Sequence, residues 1–181
     1  MIWRRVLIVL LAVTGVGLLA GCGASSTGGS KRFSVSGITL HFRYPASFST
    51  AQAAVATHAG GKAAQTEFLG LDRADGLGVL TYPGLLLTVT PKNLAAVAPQ
   101  INSIISKATG HPVTSSTQTV HGIPVLSFAP IVTKVPGGTG KDRIYYAFVG
   151  RTAYELICQY TAAHTSAIAA ACKQMLSTLS T

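Results

Sequence analysis

The sequence predicts an α+β fold, an α/β sandwich in which helices pack on the faces of a mainly antiparallel sheet. Two observations carry that expectation. The first is a hairpin near the C-terminus, where Ile144–Val149 and Thr152–Tyr160 flank Gly150-Arg151, and Gly-X suits a two-residue type II′ turn. In that register Val149 faces Thr152 and Tyr145 faces Leu156. One face then holds Tyr145, Ala147, Tyr154, Leu156 and Cys158, and the other Ile144, Tyr146, Phe148, Glu155 and Ile157. Both are mainly apolar, so the sheet needs cover on two sides. The second observation is a pair of amphipathic helices. Leu94, Val97, Ala98, Ile101, Ile104 and Ile105 form one stripe, and Ile168, Cys172, Met175, Leu176 and Leu179 another. They cover one side each, or share one.

Taken from the N-terminus, Trp3-Arg4-Arg5 precedes an apolar run from Val6 to Ala20, broken by Thr14, Gly15 and Gly17. A basic start, a short apolar stretch and small residues at its end make residues 1–21 a secretory signal peptide. The run is too short and glycine-broken for a spanning helix, which needs about 20 apolar residues. Leu19-Ala20-Gly21-Cys22 resembles the lipobox of bacterial lipoproteins, in which diacylglycerol is attached to the cysteine sulfur and cleavage leaves that cysteine at the N-terminus. That resemblance implies a lipidated Cys22 and an extracytoplasmic chain held at the cell membrane. More than one acyl chain is needed for stable anchoring. The following small polar residues to position 32 read as a flexible tether, reaching roughly 15–20 Å.

Residues 33–181 are expected to form one domain. Without residues 1–21 the chain has 160 residues, enough for a real core. The composition is 10% charged and 48% apolar, and net charge falls from +9 to +7 once Arg4 and Arg5 are removed. That balance suits anionic lipid head groups or acidic wall polymers. Export and the single, scattered basic residues argue against nucleic acid.

The element pattern continues along the domain. "FSVSGITLHFRYP" reads as two strand-like runs around Ser36-Gly37, ended at Tyr44-Pro45. "STAQAAVATHAG" suits a short helical turn or two. "KAAQTEFLGLDRADG" reads as a strand entering a turn at Ala74-Asp75-Gly76, and "GLLLTVT" as a buried strand. Thr90-Pro91 then supplies an N-cap and a first-turn proline for a helix over Asn93–Ser106, which Gly110 closes. Polar "TSSTQTV" leads to a His121-Gly122 turn, a strand in "IPVLSFAPIV", and a glycine-rich loop, "PGGTGKD", before the hairpin.

Two cysteines remain once Cys22 is lipidated. Cys158 lies on the apolar face of the last strand and Cys172 on the apolar stripe of the last helix. Packing that helix back on the strand joins them, and an exported chain favours a disulfide. Closing so short a loop contributes about 3 kcal/mol in the chain-entropy model. The spacing lacks the CxxC of redox and metal sites.

"LHFRYPASF", the central helix, "HGIPVLSFA" and the closing "DRIYYAFVGRTAYELICQY…IAAACKQMLSTL" follow the order seen in PsbP-like proteins. They resemble in particular the actinobacterial lipoproteins of the LpqN type. Phe48 stands where members carry an aromatic or tryptophan. The resemblance implies a PsbP-like sandwich serving as an accessory or binding module, and it transfers no catalytic residue.

The residues themselves offer little chemistry. The mature chain has five carboxylates, Glu67, Asp72, Asp75, Asp142 and Glu155, none paired at helical or strand spacing. Asp72 and Asp75 flank a turn, where solvated charges are expected. Glu155 sits among apolar neighbours, which raises a carboxyl pKa unless it lies at an edge or beside Arg143 or Arg151. The histidines, His41, His58, His111, His121 and His164, form no HExxH or HxxxH set. No GxSxG elbow is present. "VPGGTGKD" departs from the phosphate-loop pattern at Val135 and Asp142. No catalytic residue, metal site or cofactor is expected. The expected function is that of a lipid-anchored binding or accessory module meeting an envelope protein, anionic lipid or wall polymer. Lys134, Lys141, Arg143 and Arg151 on exposed segments are the candidate contacts. The alternative is a secreted enzyme, or a carrier of small hydrophobic molecules, whose site forms only in three dimensions.

Overall fold

A computed structural model describes residues 29–50 and 62–181. The signal peptide, Cys22, most of the tether, His58 and the alanine-rich "STAQAAVATHAG" beyond Thr50 lie outside the described residues. In chain order the elements are β1 (Ser30–Phe33), β2 (Phe42–Pro45), β3 (Gln65–Gly70), β4 (Gly76–Pro83), α1 (Leu94–Thr109), β5 (Ser115–Val120), β6 (Ile123–Phe128), β7 (Ile131–Val135), β8 (Gly138–Val149), β9 (Thr152–Tyr160) and α2 (Thr165–Ser177). β1 begins at Ser30, slightly before the boundary expected at residue 33.

The fold is α+β, as expected. Seven antiparallel strands run in the order β3-β4-β9-β8-β6-β5, with β7 paired to the first half of β8. β1 and β2 form a separate ribbon. The hairpin has the expected register, Val149 opposite Thr152 and Tyr145 opposite Leu156. Gly150 has φ 61° and Arg151 a negative φ, which is the type II′ pattern.

Each face of the sheet has its own helix. Tyr145, Ala147, Tyr154, Leu156 and Cys158 join Leu40, Phe42, Ile168, Ala171 and Met175 in one core beneath α2 and the β1–β2 ribbon. Ile144, Tyr146, Phe148 and Ala153 pack on Leu94, Ala98, Ile101 and Ile105 of α1. Cys158 and Cys172 are joined by a disulfide that ties α2 to β9.

Four local expectations need correction. "GLLLTVT" is a loop, with Leu86 95% and Leu87 49% exposed. The buried strand is β4 just before it, whose "GLGVL" start lacks alternation because both its faces are covered. Thr90 does not cap α1. Asn93 is the N-cap residue, and its Oδ1 instead accepts the Thr90 N–H at 2.7 Å. Ile104 of the expected apolar stripe is 37% exposed. The glycine-rich loop is a two-residue turn at Pro136-Gly137, with Gly137 at φ 86° and Val135 paired to Gly138. Proline followed by a positive φ is the type II arrangement.

Candidate functional site

β6 and β7 run along the same edge of β8. Ser127 pairs with Tyr145 and Ile131 with Asp142, so three residues (128–130) face two (143–144). That extra residue is a β-bulge, and it places Pro130 where no ladder N–H is required. The bulge forms one wall of an open cleft of about 960 Å3. Ala129 to Lys134 line this wall, and the last turn of α1 at Ala108 and Thr109 with the following His111 to Thr114 lines the other. A cleft of this size is in the range of small-ligand sites.

Strand parity sorts the four candidate cations. Lys134 pairs with Thr139 and Val132 with Lys141, and alternate residues of β8 share a face. Lys134, Lys141 and Arg143 therefore project from the α2 side of the β7–β8 hairpin, and all three are exposed. The structure does not bring Arg151 to them. It sits at the opposite end of β8, where its Nε donates to the Leu85 carbonyl at 2.6 Å. Arg143 also lines a small groove with Tyr160, Thr165 and Ile168, on the α2 side.

Glu155 is neither at an edge nor on the same face as Arg143. β9 lies between β4 and β8, and Glu155 is fully buried. The Tyr82 hydroxyl donates to its Oε2 at 2.9 Å. Tyr82 and Tyr146 are both pushed well above the usual phenol range, by burial first and then by the Glu155 carboxylate. Asp142, also fully buried, is pushed up to about 7 by burial, with Thr133 lowering it and Glu155 raising it. Asp142, Tyr146 and Glu155 thus lie buried on one side of the sheet. Sequence reasoning missed this grouping, and the visible signal was the alternation that puts Asp142, Tyr146 and Glu155 on one side of the hairpin.

The Asp72–Asp75 turn also departs from expectation, because Asp75 is 2% exposed. Its Oδ1 accepts the Thr161 N–H at 2.6 Å and its Oδ2 the Thr161 hydroxyl at 3.0 Å. Asp72 Oδ1 accepts the N–H groups of Ala74 and Asp75, while its Oδ2 lies 3.3 Å from His164 Nε2. Single ligand atoms of Asp72, Asp75 and His164 lie within 4.8 Å of one another. The trio clamps the β3–β4 turn to the start of α2, and these bonds account for both carboxylates.

No protein-family model matches the chain, and no curated protein matches it in sequence. Solved structures do resemble it in shape. One is the solution structure of cyanobacterial PsbP (CyanoP) from Synechocystis sp. PCC 6803, at a TM-score of 0.56 and 10% identity, covering 91% of this chain and 99% of that one. Another is a crystal structure from Bacteroides thetaiotaomicron, at a TM-score of 0.54 and 10% identity, covering 83% of this chain. The match spans 47% of the Bacteroides chain's length. At such identities the likeness establishes a PsbP-like fold alone.

Proposed function

We propose that this protein is a lipid-anchored extracytoplasmic binding module, similar to lipoproteins of the LpqN type, that works through surfaces and not through turnover. The observation that carries the proposal is the coincidence of the basic face with the tether's end of the sheet. Gly29 accepts the Ala46 N–H, and Ser49 bridges to Gly70 at the end of β3. Gly70 lies opposite Gly76, and Gly76 opposite Gln159, next to the Tyr160 that pairs with Lys141. A chain entering at Ser30 therefore arrives at the end that carries Lys134, Lys141 and Arg143.

An acyl anchor on Cys22 would hold this end toward the bilayer, where a basic residue near an anionic surface contributes about 1 kcal/mol. Three such residues add about 3 kcal/mol at low salt. The test uses acylated protein and vesicles with and without phosphatidylglycerol. Charge reversal to glutamate at Lys134, Lys141 and Arg143 together should lower docking of the anchored domain on the phosphatidylglycerol surface, read by energy transfer to labelled lipid, by about a hundredfold at low salt, and wild-type docking should fall as salt rises. Cys22→Ala should abolish fatty-acid labelling. Docking that ignores both charge and salt, or labelling that survives in Cys22→Ala, sinks the proposal.

The bulge-walled cleft favours a second reading, a carrier of small hydrophobic molecules. Its volume suits a ligand, and Pro112, Val113, Ala129 and Ile131 supply apolar wall. Co-purifying lipid or small molecule in native mass spectra, lost on Ile131→Glu, would support that reading over the surface one.

A further inference from the structure

At the end of the sheet opposite Ser30, the loop after β4 carries three consecutive leucines, of which Leu85 packs on the core and the next two project. Leu86 is 95% exposed, Leu87 49%, and Ile104 on the facing turn of α1 37%. Between loop and helix runs a groove of about 300 Å3, walled by Leu85–Leu87 and by Val97, Ile101 and Ile104, with Phe148 below. Apolar side chains gathered and exposed in this way mark interaction sites. We infer that this groove docks an acidic amphipathic helix of a partner protein.

Charge selects the flanks of that helix. From Gly76 to Lys141 the sequence contains no Asp or Glu, so neither wall of the groove carries a carboxylate. Lys92 at the start of α1 and Arg151 at the foot of the loop are both exposed. Arg151 is held there by its bond to the Leu85 carbonyl. An occupant with carboxylates beside its apolar stripe complements these cations, whereas a second copy of this chain brings a net positive charge.

Backbone bonding selects a helix over a strand. The Leu85 N–H donates to the Arg151 carbonyl and the Val89 N–H to the Gly150 carbonyl. The loop's inward N–H groups are thus engaged, and it offers side chains to a partner. Apolar anchors entering a groove at i, i+3/i+4 and i+7 are the helical mode of recognition.

The competing occupant is the bilayer, which on the anchored reading above lies within reach of the domain, and the measurements below separate the two.

The test uses the full acylated chain in zwitterionic nanodiscs, with two fluorescent helical peptides as probes. Both carry leucines at i, i+3, i+4 and i+7. One has glutamates flanking the stripe and the other lysines. The glutamate peptide should bind, and the double variant Leu86→Glu/Leu87→Glu should weaken it by about tenfold. Lys92→Glu should weaken it by about threefold, with an unchanged melting temperature in each variant. Equal binding of the lysine peptide, no binding of either, or indifference to Leu86 and Leu87 overturns the inference. So does a fluorophore at position 86 that reports an acyl environment. The mass of the chain reads acylation separately. An unacylated Cys22 overturns the anchored reading, while the peptide measurements still decide the groove.

Discussion

Replacing Asp142 by asparagine tests the buried carboxyl directly. Asp142 is fully buried, opposite Ile131 on one neighbouring strand and Gln159 on the other. Burial raises its pKa from 3.8 to about 7 in the folded protein. The native state therefore keeps this proton between pH 4 and 7, where an unfolded chain gives it up. The linkage sign follows: the group's contribution is fully present below about pH 4 and is lost as pH rises through about 7. At 1.36 kcal/mol per pH unit the loss is about 4 kcal/mol at its ceiling. An asparagine side chain at this position would keep the shape of the neutral acid and never ionise. Urea unfolding of wild type and Asp142→Asn from pH 4.5 to 8.5 should give similar midpoints at the acid end. Toward pH 8 the variant should become the more stable by up to about 4 kcal/mol. A difference that stays flat with pH, or a variant that loses ground as pH rises, refutes the account of Asp142 as a strained buried acid.

Two further outcomes follow from the packing. Peptide mapping without reduction should recover Cys158 linked to Cys172, and replacing both by alanine should cost about 3 kcal/mol in denaturant unfolding. Gly76→Ala and Gly150→Ala should separate clash from strain. A Cβ at Gly76 would meet the Leu69 carbonyl oxygen at 2.6 Å, backbone against backbone, whereas at Gly150 it meets nothing within 4 Å and only the φ of 61° resists. The first should cost about 2–3 kcal/mol and loosen the Asp75–Thr161 clamp, and the second about 1–2 kcal/mol. The reverse order in thermal unfolding would show that the β3–β4 turn adapts.

The closing hairpin was legible because a two-residue turn fixes register, and register fixes which side chains share a face. Leu85–Leu87 misled for a physical reason. Apolar content argues for burial, yet Gly84 turns at φ 83° and the chain leaves the sheet there. The polar β5 was illegible because it is an edge strand, with Ser116, Thr117, Gln118 and Thr119 all exposed. No burial demand shapes its sequence. The glycines of "PGGTGKD" suggested slack, but Gly140 is enclosed, with the Tyr160 carbonyl 3.0 Å from where its Cβ would stand. The division of the basic set needed strand parity across two elements. Lys134 and Lys141 are seven residues apart in sequence but meet on one face, because β7 folds back on β8.

On the proposed anchored reading, a tether ending at residue 32 and a weak basic face would have a joint consequence. Asp75, Asp142 and Glu155 are at most 2% exposed, so only Glu67 and Asp72 temper the surface charge. The resulting field acts over about 8 Å at physiological salt, while a flexible coil of the tether's length would allow roughly 15–20 Å. A domain so anchored would therefore not always be docked. An attraction of about 3 kcal/mol corresponds to a dissociation constant of several millimolar, on the order of the effective concentration a short flexible leash provides. Docked and free orientations should then be populated about equally at low salt, and the free one should take over as salt rises. Energy transfer from a fluorophore at Thr139, beside the cations, to labelled anionic lipid should fall steeply between about 0.05 and 0.5 M salt. In the triple glutamate variant it should begin low and stay low. Transfer that is constant across this range would mean that the leash alone sets the distance, and that Lys134, Lys141 and Arg143 do not hold the domain to the surface.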